Sequence, residues 1–372
     1  MKKILFGITL ILILSVFSSC QKNDNSLQQP TQNEEAVLKA EADKAVAGRT
    51  AQANYLQKDY GNELRDGSAG RWGRQNIVQV AQRLPIFKSL VAAVVKTGLA
   101  PVLSSANLNA TVFAPTDGAF AKPGAPFNNP ANISAITDPA QIAALKNILL
   151  YHVLGTEVKF QQVANGRSSA ATLKPVVLPS DNKIYFSKTL GLLFVNGNSF
   201  VLLANVETSN GVIHAIDDVL LPPTQNIAEI AIGNPAFSSL VAALIKTNLA
   251  GVFAGTGDFT VFAPTNAAFA QLPAPFNNAA NIAAINNPAQ IAALANILKY
   301  HVTGSRYFGW DLGFFSPIQT IADAPNNRLI GIPGANGGYV KGNQNPAFST
   351  ISPANILAVN GVVQVVNKVL LP

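Results

Sequence analysis

The chain has 372 residues, of which 48% are apolar and only 12% are charged, with a formal net charge of +7 at pH 7. Globular proteins ordinarily hold about twice that charged fraction, so uncharged polar residues must cover much of the surface. The chain shows no basic run interleaved with aromatic residues, which argues against a nucleic-acid partner. Cys20 is the single cysteine, which excludes a disulfide within one molecule, a multi-cysteine zinc site and CxxC redox chemistry.

Residues 1–19 have the pattern of a secretory signal peptide. Two lysines precede an apolar stretch from Ile4 to Phe17, and small residues stand before Cys20. About fourteen apolar residues are too few to cross about 30 Å of hydrocarbon. The pattern therefore favours a cleaved signal over a transmembrane helix, and we expect the mature chain to begin at Cys20.

The residues Phe17-Ser18-Ser19-Cys20 resemble the lipobox of bacterial lipoproteins. The resemblance implies that Cys20 is acylated and that its lipid holds the protein in the outer membrane, because several acyl chains anchor stably where one binds only marginally. Residues 21–25 are similar to the export signal of bacterial surface lipoproteins. That similarity implies that the protein faces the cell surface, and a periplasmic location is the alternative.

Residues 20–75 are predicted to be a lipidated tether with a short helix. Polar residues with almost nothing to bury fill 21–33. Good helix formers over 34–47 predict the helix, and Gly48 is expected to end it. For 49–75 the sequence leaves open whether the chain is ordered.

From residue 76 the chain repeats itself with an offset of 149 or 150 residues. Thr111-Val112-Phe113-Ala114-Pro115-Thr116 returns as Thr260 to Thr265, Tyr151-His152-Val153 returns at 300–302, and Asn210-Gly211-Val212 returns at 360–362. Each copy spans about 147 residues, a normal length for one domain and far too long for a solenoid repeat. We predict domains at 76–223 and 224–372, which the short linker brings into contact or nearly so.

Each copy begins with helical periodicity and ends with strand-like runs. In the first copy, apolar residues recur at helical spacing over 86–95 and 142–149. Short apolar runs at 184–186, 192–195 and 200–203 are separated by turn-forming residues. Helices followed by strands predict an α+β domain.

Three motifs, present in order in both copies, resemble the fasciclin domain. They are Thr-Val-Phe-Ala-Pro-Thr, the Tyr-His pair, and Asn-Gly-Val ahead of Val-Leu-Leu-Pro. The resemblance covers roughly residues 76–372 and implies a wedge of β-strands packed with several α-helices. It also implies extracellular adhesion and matrix binding rather than catalysis, and no cofactor or metal is expected.

The two Tyr-His pairs, Tyr151-His152 and Tyr300-His301, have two interpretations. The resemblance implies a partner-binding epitope, as implicated in animal members of the family. The alternative is a buried phenol and imidazole that hydrogen-bond to the backbone near the Ala-Pro-Thr turn. A shared packing requirement would explain why both copies keep the pair, which favours the alternative.

The copies differ most after the second Tyr-His pair. Aligning Gly155 with Gly304 places Phe308 opposite Lys159, Trp310 opposite Gln161, Phe314 opposite Asn165 and Phe315 opposite Gly166. Aromatic residues at these places predict a platform on the second domain that binds a protein or glycan ligand. The alternative is that they pack against the first domain or against residues 34–75.

No GxSxG, HExxH, P-loop or strand-borne GxGxxG motif is present in the sequence. Asp217-Asp218 of the first copy become Asn367-Lys368 in the second, so we interpret them as ordinary strand positions rather than a paired acid or metal site. The sequence therefore predicts a non-catalytic, surface-anchored adhesion protein that binds cells, matrix or protein partners. A glycan-binding accessory lipoprotein, using the aromatic platform, is the alternative, and a structural spacer of the envelope is a third hypothesis.

Overall fold

The computed structural model describes residues 31–59, 74–176, 182–323, 327–334 and 337–372. Helix α1 (Gln32–Asp59) precedes two domains that repeat the same order of elements. We call residues 76–223 domain one and residues 224–372 domain two. The predicted signal peptide, Cys20 and the tether up to residue 30 lie outside the described residues.

Helix α1 is longer than the sequence predicts. It contains Gly48 in its interior, so the expectation that this glycine ends the helix is wrong. A glycine inside a helix costs only about 1 kcal/mol relative to alanine. Residues on both sides of it, Val46 and Leu56 among them, pack against an apolar cluster that includes strand residues of domain one. Tertiary packing therefore carries the helix through the glycine.

Domain one begins with a set of short helices. These are α2 (Ile77–Arg83), α3 (Lys88–Lys96), α4 (Ala100–Leu103), α5 (Asp117–Phe120), α6 (Pro130–Ala135) and α7 (Pro139–Tyr151). Side-chain caps fix where several of them begin: Thr116, for example, accepts a hydrogen bond from the N–H of Ala119 (3.2 Å) at the start of α5. The apolar faces of the helices meet in one core with residues of the sheet.

The strands of domain one form a single sheet. They are β1 (Ala110–Pro115), β2 (Val153–Leu154), β3 (Gly166–Ala171), β4 (Lys183–Thr189), β5 (Leu192–Val195), β6 (Ser199–Thr208) and β7 (Gly211–Ile216). The order is β2-β1-β7-β6-β5-β4-β3, with β1 and β7 parallel. A second core around Phe113, Tyr151 and Phe186 fills the strand-rich part of the wedge.

Domain two repeats the helices and strands of domain one, except that one long strand is divided into two. Its helices are α8 (Ile227–Ile232), α9 (Ser238–Lys246), α10 (Ala250–Ala254), α11 (Asn266–Phe269), α12 (Ala279–Ala283) and α13 (Pro288–Tyr300). Its strands are β8 (Phe259–Pro264), β9 (Val302–Thr303), β10 (Pro317–Gln319), β11 (Arg328–Ile332), β12 (Tyr339–Lys341), β13 (Ser349–Thr350), β14 (Ile356–Ala358) and β15 (Gly361–Val366). They form two sheets, β10-β11-β12-β13 and β14-β15-β8-β9. The counterpart of β6 is divided here around Pro353, which lacks a backbone N–H and stands where domain one has Leu203.

Both domains combine helices and sheets, which confirms the α+β class, although β1 and β8 lie among the helices of their domains. Within the part of the chain that the structure describes, no single helix is long and apolar enough to cross a membrane. Helix α2 and the adjoining segment Pro85–Lys96 reach the required length and apolarity together, as a pair bent by 103°.

Candidate functional site: the junction and cleft between the domains

A hairpin of domain one meets domain two at its tip. Asn196 and Gly197 lead from β5 into β6 with φ angles of 51° and 77°, which asparagine and glycine tolerate better than other residues. Asn355 of domain two donates from Nδ2 to the Gly197 carbonyl (3.2 Å) and to Asn198 Oδ1 (2.9 Å). A Cβ on Gly197 would lie 2.4 Å from the Phe308 ring, so domain two closes tightly over this turn.

The aromatic residues predicted to form an exposed platform lie inside this junction. Phe308 and Trp310 are only 2% and 5% exposed. Trp310 stacks on Phe194 of domain one (ring centroids 4.6 Å apart, planes 13° apart), and Phe308 lies beside Tyr185 (6.1 Å). The expectation of an exposed platform is therefore wrong for these two residues. They pack against domain one, and α1 covers the same apolar cluster as Trp310, which is the alternative that the sequence left open.

The other two aromatic residues of the predicted platform have different surroundings. Phe314 and Phe315 are half-buried. The ring of Phe315 meets that of Phe348 edge-on at 6.5 Å, and its N–H donates to the Gly331 carbonyl (3.0 Å). The structure thus brings Phe308 and Trp310 together with domain one, whereas Phe315 pairs within domain two.

Two arginine–tyrosine pairs cross the junction in opposite directions. Arg167 of domain one lies 3.8 Å from the ring centre of Tyr307 and donates to the Arg306 carbonyl (2.8 Å). Arg306 of domain two lies 4.1 Å from the ring centre of Tyr185. The buried Arg306 guanidinium also donates to Asp258 (2.5 Å), so its charge is paired. Each such cation–π contact contributes about 0.5–2 kcal/mol.

Helix α1 joins both domains. Arg49 forms an ion pair with Asp217 of domain one and lies 5.7 Å from the ring centre of Phe200. Glu41 accepts a hydrogen bond from the hydroxyl of Tyr339 in domain two. Each of the three parts therefore contacts the other two, which confirms the expectation that the short linker brings the domains into contact.

A cleft of about 540 Å³ opens beside the junction. Its lining includes Arg49, Asn198, Asp218, Gln225, Trp310 and Asn355. Lys122 pairs with the Asp218 carboxylate (2.8 Å), while burial raises the pKa of that carboxyl above its usual value. The cleft is thus built from α1, both domains and the linker at the boundary of the two domains, residues 223–225.

The two Tyr-His pairs are buried in equivalent backbone networks. His152 and His301 are each 1% exposed. The Nε2 of His152 accepts from the Leu220 N–H (2.8 Å), so Nδ1 carries the proton and donates to the Ile148 carbonyl (2.8 Å). His301 repeats both contacts at the same distances. Burial lowers the pKa of both imidazoles to about 4. The structure therefore supports the interpretation of the Tyr-His pairs as buried, backbone-bonded side chains, and they are not accessible as an epitope in this conformation.

Tyrosine completes each of these networks. The hydroxyl of Tyr151 donates to the Lys183 carbonyl (2.6 Å) and accepts from Asn196 Nδ2 (3.2 Å). Tyr300 donates to the Arg328 carbonyl and accepts from the Asn343 N–H (2.9 Å). The Tyr-His pairs therefore fasten the helical layer to the strands of each domain.

His214 of domain one and Gln364 of domain two occupy the same place in the fold. Each accepts a hydrogen bond from the backbone N–H of an asparagine, at 3.1 and 2.8 Å. Each also bonds to a backbone carbonyl of the segment that follows the Tyr-His pair, at 3.0 and 2.9 Å. Within the described ranges, no group of three His, Cys, Asp or Glu side chains is placed to hold a metal ion.

Sequence reasoning missed the residues that hold the junction together. The Asn196-Gly197 dipeptide between two apolar runs is a hairpin signal that was available. Asn355 had a weaker signal, since an Ala-Asn dipeptide recurs at the corresponding place in domain one. Nothing in the sequence indicates that Arg167 and Arg306 stack on tyrosines of the other domain.

Comparison with known proteins relates this architecture to a protein family. The chain matches the model of the Fasciclin domain twice, over residues 85–222 and 235–372. It is 31% identical over 185 residues to Protein sll1483 of Synechocystis, covering 48% of this chain and 91% of that protein. It is 28% identical over 273 residues to transforming growth factor-beta-induced protein ig-h3 of Sus scrofa, covering 72% of this chain and 34% of that protein.

A human relative and a solved structure are also similar. Periostin of Homo sapiens is 24% identical over 248 residues, which cover 67% of this chain and 27% of periostin. A FAS1 domain pair from the insect cell adhesion molecule fasciclin I covers 75% of this chain and 95% of its own, with 18% identity and a TM-score of 0.36. The two matches to the domain model span well over half of the chain. The chain therefore belongs to the fasciclin-domain family and carries two of these domains in tandem.

Proposed function

We propose that this protein is a non-catalytic, surface-anchored adhesion or interaction protein, which meets cells, extracellular matrix or protein partners through its fasciclin domains. Membership of a family that includes ig-h3 and periostin supports a role in adhesion or interaction. The observation that carries the proposal is the fixed junction between the domains. A fixed pair presents two surfaces at constant spacing, which favours simultaneous engagement of an extended partner.

The side chains best suited to acid–base chemistry support the non-catalytic part of the proposal. Both ring nitrogens of His152 and His301 are engaged with backbone groups, and their lowered pKa keeps them neutral near pH 7. His214 is bonded to backbone through both nitrogens as well. A general base must have a nitrogen within reach of substrate, and these three do not offer one in this conformation.

The anchoring part of the proposal rests on the sequence around Cys20. Acylation of Cys20 would hold the outer membrane and the domains together through residues 21–31, which span at most about 40 Å when fully extended. The Cys20→Ser variant should fail to incorporate an alkyne fatty acid and should leave the membrane fraction or remain as a precursor. Equal labelling of the variant and the wild type would contradict the anchor. External protease on intact cells tests the surface location, and protection of residues 76–372 while other surface proteins are degraded would place them in the periplasm.

Adhesion itself is tested on cells that carry the anchored protein. Cells with the wild-type protein should attach to immobilised matrix proteins or to host cells more strongly than cells with the Cys20→Ser variant. The proposal fails if attachment is the same with the wild type, with the variant and without the protein. A glycan-binding role through an exposed aromatic platform is not supported, because Phe308 and Trp310 are buried.

A further inference from the structure

We infer that the cleft between the domains is a binding site for a neutral, polyhydroxylated ligand, in particular a short oligosaccharide. The inference goes beyond the proposed adhesion function, which does not require a cleft. It rests on the size of the cleft, on the pairing of its charges, and on the amide and apolar groups that remain available in its walls.

The size of the cleft suits a small ligand. Its volume of about 540 Å³ falls in the range of roughly 300–1,000 Å³ that is usual for small-molecule sites. Its walls come from four separate parts of the chain: Arg49 of α1, Gly197 of the hairpin tip, Gln225 of the linker and Trp310 of domain two. The site exists only because the two domains and α1 pack together.

The charges in the cleft are already neutralised within the protein. The charged residues in its lining are Arg49 and Asp218. Arg49 is paired with Asp217, and Asp218 is paired with Lys122 at 2.8 Å. An anionic or cationic ligand would have to compete with these pairs, whereas a neutral ligand would leave them intact. The charge balance therefore favours an uncharged ligand.

The remaining polar groups match hydroxyl groups. The side chains of Asn198, Thr224 and Gln225 are exposed at the cleft. Within the described residues the Gln225 side chain makes no hydrogen bond, so its amide can both donate to and accept from a ligand. A sugar hydroxyl likewise donates and accepts, so it can pair with both the NH₂ group and the carbonyl oxygen of the amide.

The apolar lining supplies the complementary part of a sugar site. Leu221 is 58% exposed at the cleft, and the partly exposed Ile230 also lines it. The apolar C–H faces of a sugar ring can pack against such groups while its hydroxyls bond to the amides. A peptide strand is the competing ligand, because β14 is an edge strand at the cleft, although its three residues offer few backbone hydrogen bonds.

The experiment uses the full chain and the fluorescence of Trp310. The Trp72→Phe variant removes the other tryptophan, so the emission reports on the cleft wall. Short glucose-, mannose- and galactose-based oligosaccharides are titrated, with calorimetry as a second readout. At least one of these probes should give a saturable change in Trp310 emission and a matching binding isotherm.

Variants locate the site. Gln225→Ala should weaken binding about tenfold, because the amide loses a donor and an acceptor contact to the ligand. Gln75→Ala is the matched control, since Gln75 holds the same repeat position at the start of domain one and lies outside the cleft lining. It should leave the affinity unchanged.

Three results would overturn the inference. They are no saturable binding of any oligosaccharide, equal affinity of Gln225→Ala and the wild type, and binding of extended peptides in place of sugars. The last result would assign the cleft to strand addition at β14. Attachment of cells through the anchored protein is measured separately, so loss of sugar binding with intact attachment rejects the cleft site and leaves the adhesion function standing.

Discussion

The segment that follows the Tyr-His pair has the same backbone in both domains and opposite surroundings. In domain one the Lys159 N–H donates to the side chain of Gln162 (2.6 Å), and in domain two the Phe308 N–H donates to the side chain of Asp311 (2.9 Å). A 3₁₀ turn follows in each. Lys159 is partly exposed beside Glu207 in solvent, whereas Phe308 is buried against domain one. The two copies therefore differ in the side chains that this turn carries, and only those of domain two form an interface.

A pair of asparagines shows the same exchange. Asn205 and Asn355 share a φ of 58°, and each accepts a hydrogen bond at 2.8 Å from the N–H at the start of the 3₁₀ turn. In domain one the Asn205 amide donates to Gln161 (3.0 Å). In domain two Trp310 stands where Gln161 stands, and the Asn355 amide donates across the junction instead. One replacement thus both supplies an apolar contact and frees a hydrogen-bond donor.

The largest expected difference between the domains is in the free energy of unfolding of Trp310→Ala compared with Gln161→Ala. Trp310→Ala should lower the free energy of unfolding by about 3–5 kcal/mol, because it removes a buried aromatic side chain that stacks on Phe194. Gln161→Ala, at the exposed counterpart, should change it by less than about 0.5 kcal/mol. Denaturant unfolding of both variants measures the difference. Similar losses in the two variants would mean that Trp310 does not hold the domains together.

The next largest effect is expected in acid, which should destabilise domain one more than domain two. The folded-state pKa of His152 and of His301 is about 4, below the ordinary value of 6.5, so each contributes stability that is present above pH 6.5 and is lost as the pH falls towards 4. The loss is on the order of 3 kcal/mol for each histidine. Domain one also holds His214, whose pKa burial lowers. Domain two has Gln364 at that place, so His301 is its single histidine.

Carboxyl groups act in the opposite direction. Burial raises the pKa of Asp311 in domain two to about 6, so its contribution to stability grows as the pH falls below that value. Burial also raises the pKa of Asp218 in domain one, which offsets part of the loss there. With two titrating histidines against one, domain one should unfold at higher pH than domain two during acid titration.

Amide hydrogen exchange as a function of pH measures this order domain by domain. His214→Gln copies the residue of domain two, so it should keep the stability at pH 7 and narrow the difference in acid sensitivity. If domain two opens first, or if His214→Gln leaves the pH dependence of domain one unchanged, the buried histidines do not set the order.

Much of each domain was predictable because its determinants are local. The repeated Thr-Val-Phe-Ala-Pro-Thr motifs fall on β1 and β8, and the last threonine of each motif caps α5 or α11. Burial of the Tyr-His pairs could be inferred from their place between a helix and a strand. Pro353, which divides the counterpart of β6, is also visible in the sequence.

The junction was not predictable, for a physical reason. An apolar residue at Phe308 or Trp310 indicates that some surface covers it, but the sequence does not say which surface. A ligand, a surface of domain one and α1 could each cover these residues, and the sequence pattern would be the same in all three cases. The persistence of α1 through Gly48 has the same origin, since the apolar cluster that stabilises it is formed by residues more than a hundred positions away.

A pair of turn glycines gives a third and smaller test. Gly197 and Gly191 have nearly equal φ angles of 77° and 75°, so a side chain strains the backbone equally at both, by about 1–2 kcal/mol. A Cβ on Gly191 meets nothing within 4 Å, whereas on Gly197 it would overlap with Phe308. Gly197→Ala should therefore be about 2 kcal/mol more destabilising than Gly191→Ala in thermal or denaturant unfolding. Equal losses would mean that the hairpin tip is not held against domain two.

The smallest expected effect separates the two asparagines. Asn205→Ala and Asn355→Ala lose the same hydrogen bond to the 3₁₀ turn and strain the same positive φ, so these losses cancel in the comparison. Asn355→Ala also loses two hydrogen bonds to the hairpin tip and one from Gln364 Nε2 within domain two (2.8 Å), while Asn205→Ala loses one exposed bond to Gln161. Because a net hydrogen bond contributes about 0.5–1.5 kcal/mol and exposed bonds contribute least, the difference should be about 1 kcal/mol.

The Trp310→Ala background sharpens this last measurement. If Asn355 acts through the junction, the part of its excess loss that comes from the two hairpin-tip bonds should disappear once Trp310 is removed, because the hairpin tip is then no longer held in place. The loss of the bond to Gln364 within domain two should remain. A double-mutant cycle with Trp310→Ala and Asn355→Ala should therefore show coupling of about 1 kcal/mol, and a cycle with Asn205→Ala should show none. Additive losses in both cycles would place the effect of Asn355 within domain two and would separate it from the contact between the domains.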